Sequence, residues 1–280
     1  MRSAPEPTLR LTKVIRPWLV GVRTLAGCSR PRNSAALLDG APADRIALVT
    51  GANSGIGLAI AERLVTDGYA LGYATRERED EDVYERLAAR GRVEWVVGDI
   101  ADPEVPARLV EETVGALGRL DVLVNNAGIT VSKPALELTA KDFDSIFSVD
   151  VRGAFLCAQA AARAMGEEGG VIVNITSVHE HVPRPGFALY APAKAALGML
   201  TRSLALELAP AVRVVSVAPG AIATERNVEA DELRPEIPLK RPGTPEEVAA
   251  VVAWLVSDEA RYVTGASYLV DGGLVQQVIG

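Results

Sequence analysis

Residues 175 to 194 read ITSVHEHVPRPGFALYAPAK and bring together a serine, both histidines of the chain, a glutamate, a tyrosine and a lysine. Two chemistries can be written with them. Ser177, His179 and Glu180 could serve as nucleophile, base and orienter of a hydrolase, whereas Ser177, Tyr190 and Lys194 could carry out a proton transfer. The hydrolase reading is weak. A serine nucleophile on an α/β sheet wants a sharp, glycine-flanked G-x-S-x-G elbow, and Ser177 stands in NITSVHE. His179, two residues further on, has no reason to reach the serine hydroxyl. Tyr190 and Lys194 are four residues apart, which places them one turn apart on one face of a helix. Pro192 fits such a helix only in its first turn. A phenol ordinarily ionises near pH 10 and is a poor base at neutrality. A neighbouring ammonium favours the phenolate, so Tyr190 could move a proton while Ser177 holds a substrate oxygen.

The elements that must position these residues are legible in the apolar pattern. Candidate strands are RIALVT (45 to 50), ALGYA (70 to 74), VEWVV (93 to 97), DVLVNN (121 to 126), VIVNIT (171 to 176), VRVVSV (212 to 217) and SYLV (267 to 270). Most are nearly continuous apolar runs, as expected for strands covered on both faces, and helix-like segments separate them. Alternating β and α with right-handed crossovers implies an α/β fold: one Rossmann-type, doubly wound parallel sheet of about seven strands with helices on both faces. With no second composition shift, repeat or linker after residue 45, residues 45–280 are expected to form one domain.

The first 44 residues differ. They carry seven basic residues against three acidic ones and no capped helix or strand pattern, so a disordered tail or a mis-assigned start is expected, with an arginine-rich transit segment as the alternative. The stretch VIRPWLVGVRTLAG is too short and too charged to span a bilayer. A net charge of −7 argues against nucleic acid as a partner, and 49% hydrophobic residues suffice for a large core. Two cysteines make no disulfide framework, which points to a reducing, cytoplasmic setting, and two histidines argue against a metal site; none is expected. The expected partner is a small molecule.

Ligands of such a sheet bind beyond the carboxyl ends of its strands. After the first candidate strand comes TGANSGIG, with Gly51, Ser54, Gly55, Ile56 and Gly57 leading into a helix. Glycines there allow a tight turn and let backbone amides approach a pyrophosphate at the helix N-terminus. The second strand ends at Thr75 and Arg76, with Arg78 nearby and no acid at the strand end itself. A ribose 2′-phosphate needs such donors and positive charge, so NADP is favoured and NAD stays possible, Glu77 tempering the preference. Asp99 and Ile100 after the third strand would flank an adenine, and Asn126, Ala127 and Gly128 after the fourth would let a planar ring lie against the backbone.

Taken together these residues resemble the short-chain dehydrogenases/reductases over roughly residues 45 to 273. The motifs are Thr50-Gly51-x-x-x-Gly55-x-Gly57, Asn125-Asn126-Ala127-Gly128, Ser177 thirteen residues before Tyr190-x-x-x-Lys194, and Pro219-Gly220 leading through Ile222 to Thr224. The resemblance implies NAD(P) as hydride carrier and a homotetramer or homodimer. It also implies Tyr190 as general acid/base, Ser177 as the holder of the substrate oxygen, and Lys194 as the cation that assists Tyr190 and binds the nicotinamide ribose. Pro219, Gly220, Ile222 and Thr224 join the cofactor contacts by the same match. One position departs: Asp150, in FSVDVRGAFL, stands where the family usually has asparagine, and its side chain adds a charge near Lys194. It is either a tolerated change or a weakened relay. The nearest members in pattern are glucose 1-dehydrogenases and 3-oxoacyl-carrier-protein reductases. That implies interconversion of a secondary alcohol or sugar hemiacetal with its carbonyl compound, with 3-oxoacyl reduction as the alternative and a catalytically weakened dinucleotide-binding regulator as a reading of another class. His179 and Glu180 are expected on the rim of the substrate cleft, Phe187 and Leu189 as an apolar wall, and residues 223 to 243 as a lid. Asp271-Gly272-Gly273 reads as a turn.

Overall fold

A computed structural model describes residues 45 to 279 apart from 79, 80, 226, 228 and 229; the expectation for residues 1–44 lies outside the described residues. All seven expected strands form: β1 (Ile46–Thr50), β2 (Ala70–Thr75), β3 (Val93–Val97), β4 (Val122–Asn125), β5 (Gly170–Ile175), β6 (Val212–Pro219) and β7 (Ser267–Val270). They pair in the order β3-β2-β1-β4-β5-β6-β7, every neighbour parallel.

Successive residues of a strand point to opposite faces. In β1, Ala47 and Val49 enter one core while Ile46 and Leu48 enter the other, which is why the strand must be apolar throughout. Helices α1 (Gly55–Thr66), α2 (Glu81–Ala88) and α7 (Pro245–Val256) close the first core through Ile60, Leu64, Leu87 and Val252. The second is closed by α3 (Val105–Leu117), α5 (Ala154–Met165) and α6 (Tyr190–Glu207), through Leu109, Cys157, Ala161 and Leu204. Burial pushes the Cys157 thiol up to about 12, so it packs as an inert apolar group.

Helix α4 (Ala140–Phe147) begins at a reciprocal cap between Thr139 and Asp142. It runs into a π-helical turn, Ser148–Gly153, before α5 begins. The sheet's order reverses direction between β1 and β4, so a crevice opens where their carboxyl ends part. Just below it, Asn125 Nδ2 donates to Ala154 O and to Asn174 Oδ1, and Asn174 Nδ2 donates to Thr201 Oγ1. These buried bonds tie β4, β5, α5 and α6 together under the crevice.

Candidate active site

Two cavities open at the carboxyl ends of the strands, about 540 Å³ and about 620 Å³ in volume. Both are lined by Ile56, Asn126, Gly128 and Thr224, so they adjoin.

The first lies over the β1–α1 loop. Gly51 and Gly55 turn the chain at φ of +64° and +53°, which side chains other than glycine adopt at a cost. A Cβ on Gly57 would stand 2.1 Å from Gly51 O and 2.3 Å from Asn126 Nδ2. The loop is latched to β4: Asn126 Nδ2 donates to the carbonyls of Thr50 and Gly51, and Thr50 Oγ1 accepts from the amides of Asn126 and Ala127. Of the residues expected to hold a cofactor, Gly51, Ser54, Gly55, Ile56, Gly57, Thr75, Arg76, Asp99, Ile100, Asn126, Ala127, Gly128 and Thr224 line this cavity. Helix α1 points its free amides at the loop, so the cradle suits a pyrophosphate. At its far end Arg76 Nε lies 3.1 Å from Glu77 Oε1, and both residues line the wall. Thr75 Oγ1 donates to Glu77 O and accepts from Trp95 Nε1, which holds that turn in shape.

The second cavity contains Ser177, Tyr190 and Lys194 together with Pro219, Gly220 and Ile222. Ser177 is the second residue past β5 and caps a single 3-10 turn, Val178–Glu180. Its Oγ accepts from the His179 amide at 3.2 Å, which leaves its hydroxyl proton free to be donated. Tyr190 opens α6, and Pro192 falls in the first turn as the sequence requires. Lys194, one turn on, is buried, with Nζ 5.6 Å from the centre of the Tyr190 ring. Nζ donates to Ile175 O at 3.2 Å and lies 3.0 Å from Asp150 Oδ2. Burial alone would push the lysine ammonium down; the Asp150 carboxylate and Tyr190 outweigh it and hold Lys194 above its ordinary value.

Of the apolar wall expected from Phe187 and Leu189, Phe187 lines the second cavity and Leu189 lines neither. Phe187 stacks on His179 at 5.0 Å, and both rings flank Tyr190 at about 6 Å. Glu180 departs from expectation and lines neither cavity. Its side chain, 2% exposed, packs on Gly198, accepts from Ser267 Oγ at 3.0 Å and pairs with Arg202 at 3.5 Å. In a 3-10 turn successive side chains diverge by about 120°, so a residue next to His179 faces away from the cleft. The segment 223 to 243 supplies Thr224, Asn227, Leu233 and Glu236 to the cavity rim. Asp271 accepts from the amides of Gly273 and Val275 and so organises a turn, as read from the sequence. Arg184 also lines the second cavity although no spacing in the sequence marked it, because it comes from the loop between the 3-10 turn and α6.

The family model described as Enoyl-(Acyl carrier protein) reductase matches residues 51–275. The chain is also similar to a solved acetoin dehydrogenase from Enterobacter cloacae, 45% identical with a TM-score of 0.78, covering 84% of this chain and 96% of that one. The chain belongs to the short-chain dehydrogenase/reductase family. As a member of the short-chain dehydrogenases/reductases it is an NAD(P)-dependent oxidoreductase acting on CH–OH and carbonyl groups. Among curated relatives, glucose 1-dehydrogenase 2 of Bacillus subtilis is 39% identical over 82% of this chain and 94% of its own length. The 3-oxoacyl-[acyl-carrier-protein] reductase FabG of Staphylococcus aureus is 38% identical over 81% and 97%. A blue fluorescent protein from a metagenomic library, solved in complex with NADPH, is 36% identical with a TM-score of 0.79, covering 84% of this chain and 99% of that chain. Among the described residues no helix is long and apolar enough to cross a membrane, and no cluster of His, Cys, Asp and Glu could hold a metal ion.

Proposed function

We propose that this enzyme is an NADP-preferring reductase and dehydrogenase of small hydroxylated substrates, a hydroxy ketone or a sugar, with Tyr190 as its proton-transfer residue. When bound, the nicotinamide cofactor supplies or accepts the hydride. The glycine loop, Asn126 to Gly128, Pro219, Gly220, Ile222 and Thr224 would hold it, and Lys194 has a donor left for its ribose. Ser177 donates its free hydroxyl proton to the substrate oxygen, and Tyr190 gives that oxygen a proton or takes one from it. The observation that carries the reading is the convergence of Ser177, Tyr190 and a buried, charged Lys194 on one cavity that adjoins the dinucleotide cradle.

His179 favours a hydroxylated substrate over a 3-oxoacyl thioester. Its Nδ1 lies 3.0 Å from the Val182 carbonyl, which can only accept, so Nδ1 carries the proton and Nε2 is an acceptor. Burial keeps the imidazole below its ordinary value, so it is neutral at pH 7 and stays an acceptor. A hydroxyl beside the reacting carbon can satisfy it; a thioester cannot. Turnover of purified protein with NADPH or NADH over ketones and hydroxy ketones, and with NADP or NAD over sugars and alcohols, tests this. Activity on acetoin or glucose with little on acetoacetyl thioesters is expected, and the reverse preference would overturn the substrate reading.

The NADP preference rests on Arg76, and the NADPH complex of a relative supports it. Arg76→Ala is expected to lower the ratio of kcat/KM for NADP over NAD by about tenfold, the loss of one charge-assisted hydrogen bond. An unchanged ratio would move the 2′-phosphate elsewhere. We read the protein as cytoplasmic and the assembly as a homotetramer or homodimer. Met199 and Leu206, exposed on one face of α6, and exposed Trp254 and Leu269 on α7 and β7 support burial by further copies.

A further inference from the structure

Asp150 is a fully buried carboxylate held from two sides. Oδ1 accepts from the Ile129 amide at 2.8 Å, and Oδ2 lies 3.0 Å from Lys194 Nζ. The π-helical turn brings it there between α4 and α5, and Gly128 leaves the space: a Cβ on Gly128 would meet Asp150 Oδ2 at 3.1 Å and Lys194 Nζ at 3.2 Å. Lys194 Nζ donates to the Ile175 carbonyl and lies against the Asp150 carboxylate as its charge partner, so the ammonium is held from two directions. A buried carboxylate and ammonium at this distance form a unit with no net charge.

From this geometry we infer that Asp150 is a positioning residue, which anchors and partly neutralises the Lys194 ammonium and so sets the pH at which Tyr190 exchanges its proton. The inference rests on the proposed role of Tyr190. Ionising Tyr190 beside the Asp150–Lys194 pair takes the cluster from net zero to −1, whereas with asparagine at 150 it takes the cluster from +1 to zero. The second change costs less in a buried site, so removing the carboxylate moves proton loss to lower pH.

The groups facing the pair from the packed elements are few. The π-helical turn brings Asp150, β5 brings the Ile175 carbonyl, and the segment after β5 brings Ser177 and the neutral His179, whose ring is 6.0 Å from that of Tyr190. Glu180, from the turn packed on α6, directs its carboxylate to Arg202 and Ser267 instead.

Near-ultraviolet tyrosinate absorbance against pH, read in the cofactor-free protein as the difference from the matching Tyr190→Phe protein, isolates this step. In Asp150→Asn it is expected about one pH unit lower than in the wild type, and the rising limb of kcat/KM for alcohol oxidation should move with it. Coincident titrations in the two proteins would overturn the inference. Should Asp150→Asn not fold, Asp150→Ala decides: added formate, standing in for the missing carboxylate, should return the step towards its wild-type pH, and indifference to formate would overturn the role. A wild-type protein without Tyr190-dependent turnover would defeat the proposed function, while the absorbance titration would still judge Asp150.

Discussion

Tyr190→Phe is expected to lower kcat by about 10³-fold while leaving dinucleotide affinity within about threefold, the range set by loss of a general acid/base. The phenyl ring keeps its place against Phe187 and His179, so only the hydroxyl is lost. Neither Ser177 nor Lys194 can replace it. Ser177 has a hydroxyl but no base beside it, since its Oγ is engaged by a backbone amide, and Lys194 is held charged and offers no acceptor. Stopped-time assays of NADPH oxidation give kcat, and quenching of protein fluorescence on titration with NADPH gives the affinity. Retention of more than about a tenth of the wild-type rate would remove Tyr190 from the proton transfer.

Gly57→Val is expected to weaken dinucleotide binding by roughly 100-fold, equivalent to about 3 kcal/mol. The first carbon of any side chain at 57 would overlap the Gly51 carbonyl and the Asn126 amide nitrogen, both backed by β4. Neither can retreat without breaking the latch that shapes the loop. The loop must therefore lift from α1, and the amides no longer converge on one anion. Titration calorimetry with NADP reads the loss, with circular dichroism confirming that the sheet persists. Wild-type affinity in a folded Gly57→Val protein would show that the dinucleotide does not use this cradle.

The sheet was legible because its strands are buried on both faces. An apolar run such as IALVT needs no pattern of alternation to be recognised, and each core takes every other residue of it. β6 runs on to Pro219, two residues beyond the apolar run that marked it, since its last residues pair with β7. The site was legible where chemistry depends on local spacing: Tyr190 and Lys194 share a helix face, and the glycines of the β1–α1 loop fall where the backbone turns. Glu180 was not, because a one-turn 3-10 segment reorients neighbours that look equivalent along the chain. The closeness of Asp150 to Lys194, 44 residues apart, was legible only through the family resemblance and not through local spacing, since SVDVRG carries no propensity signal for a π-helical turn. Arg184 was marked by no spacing and reaches the second cavity only because the chain folds back over it.

In this reading the two adjoining cavities bring the nicotinamide of a bound dinucleotide to a carbonyl carbon. The most direct test supplies the purified protein with NADPH deuterated at both nicotinamide C4 positions and a hydroxy ketone, then examines the product alcohol by mass spectrometry. Deuterium on the carbinol carbon, formed by the wild type and not by Tyr190→Phe, is the expected result. Cofactor that binds but is never consumed across the carbonyl panel, or a product alcohol without the label, would contradict the account.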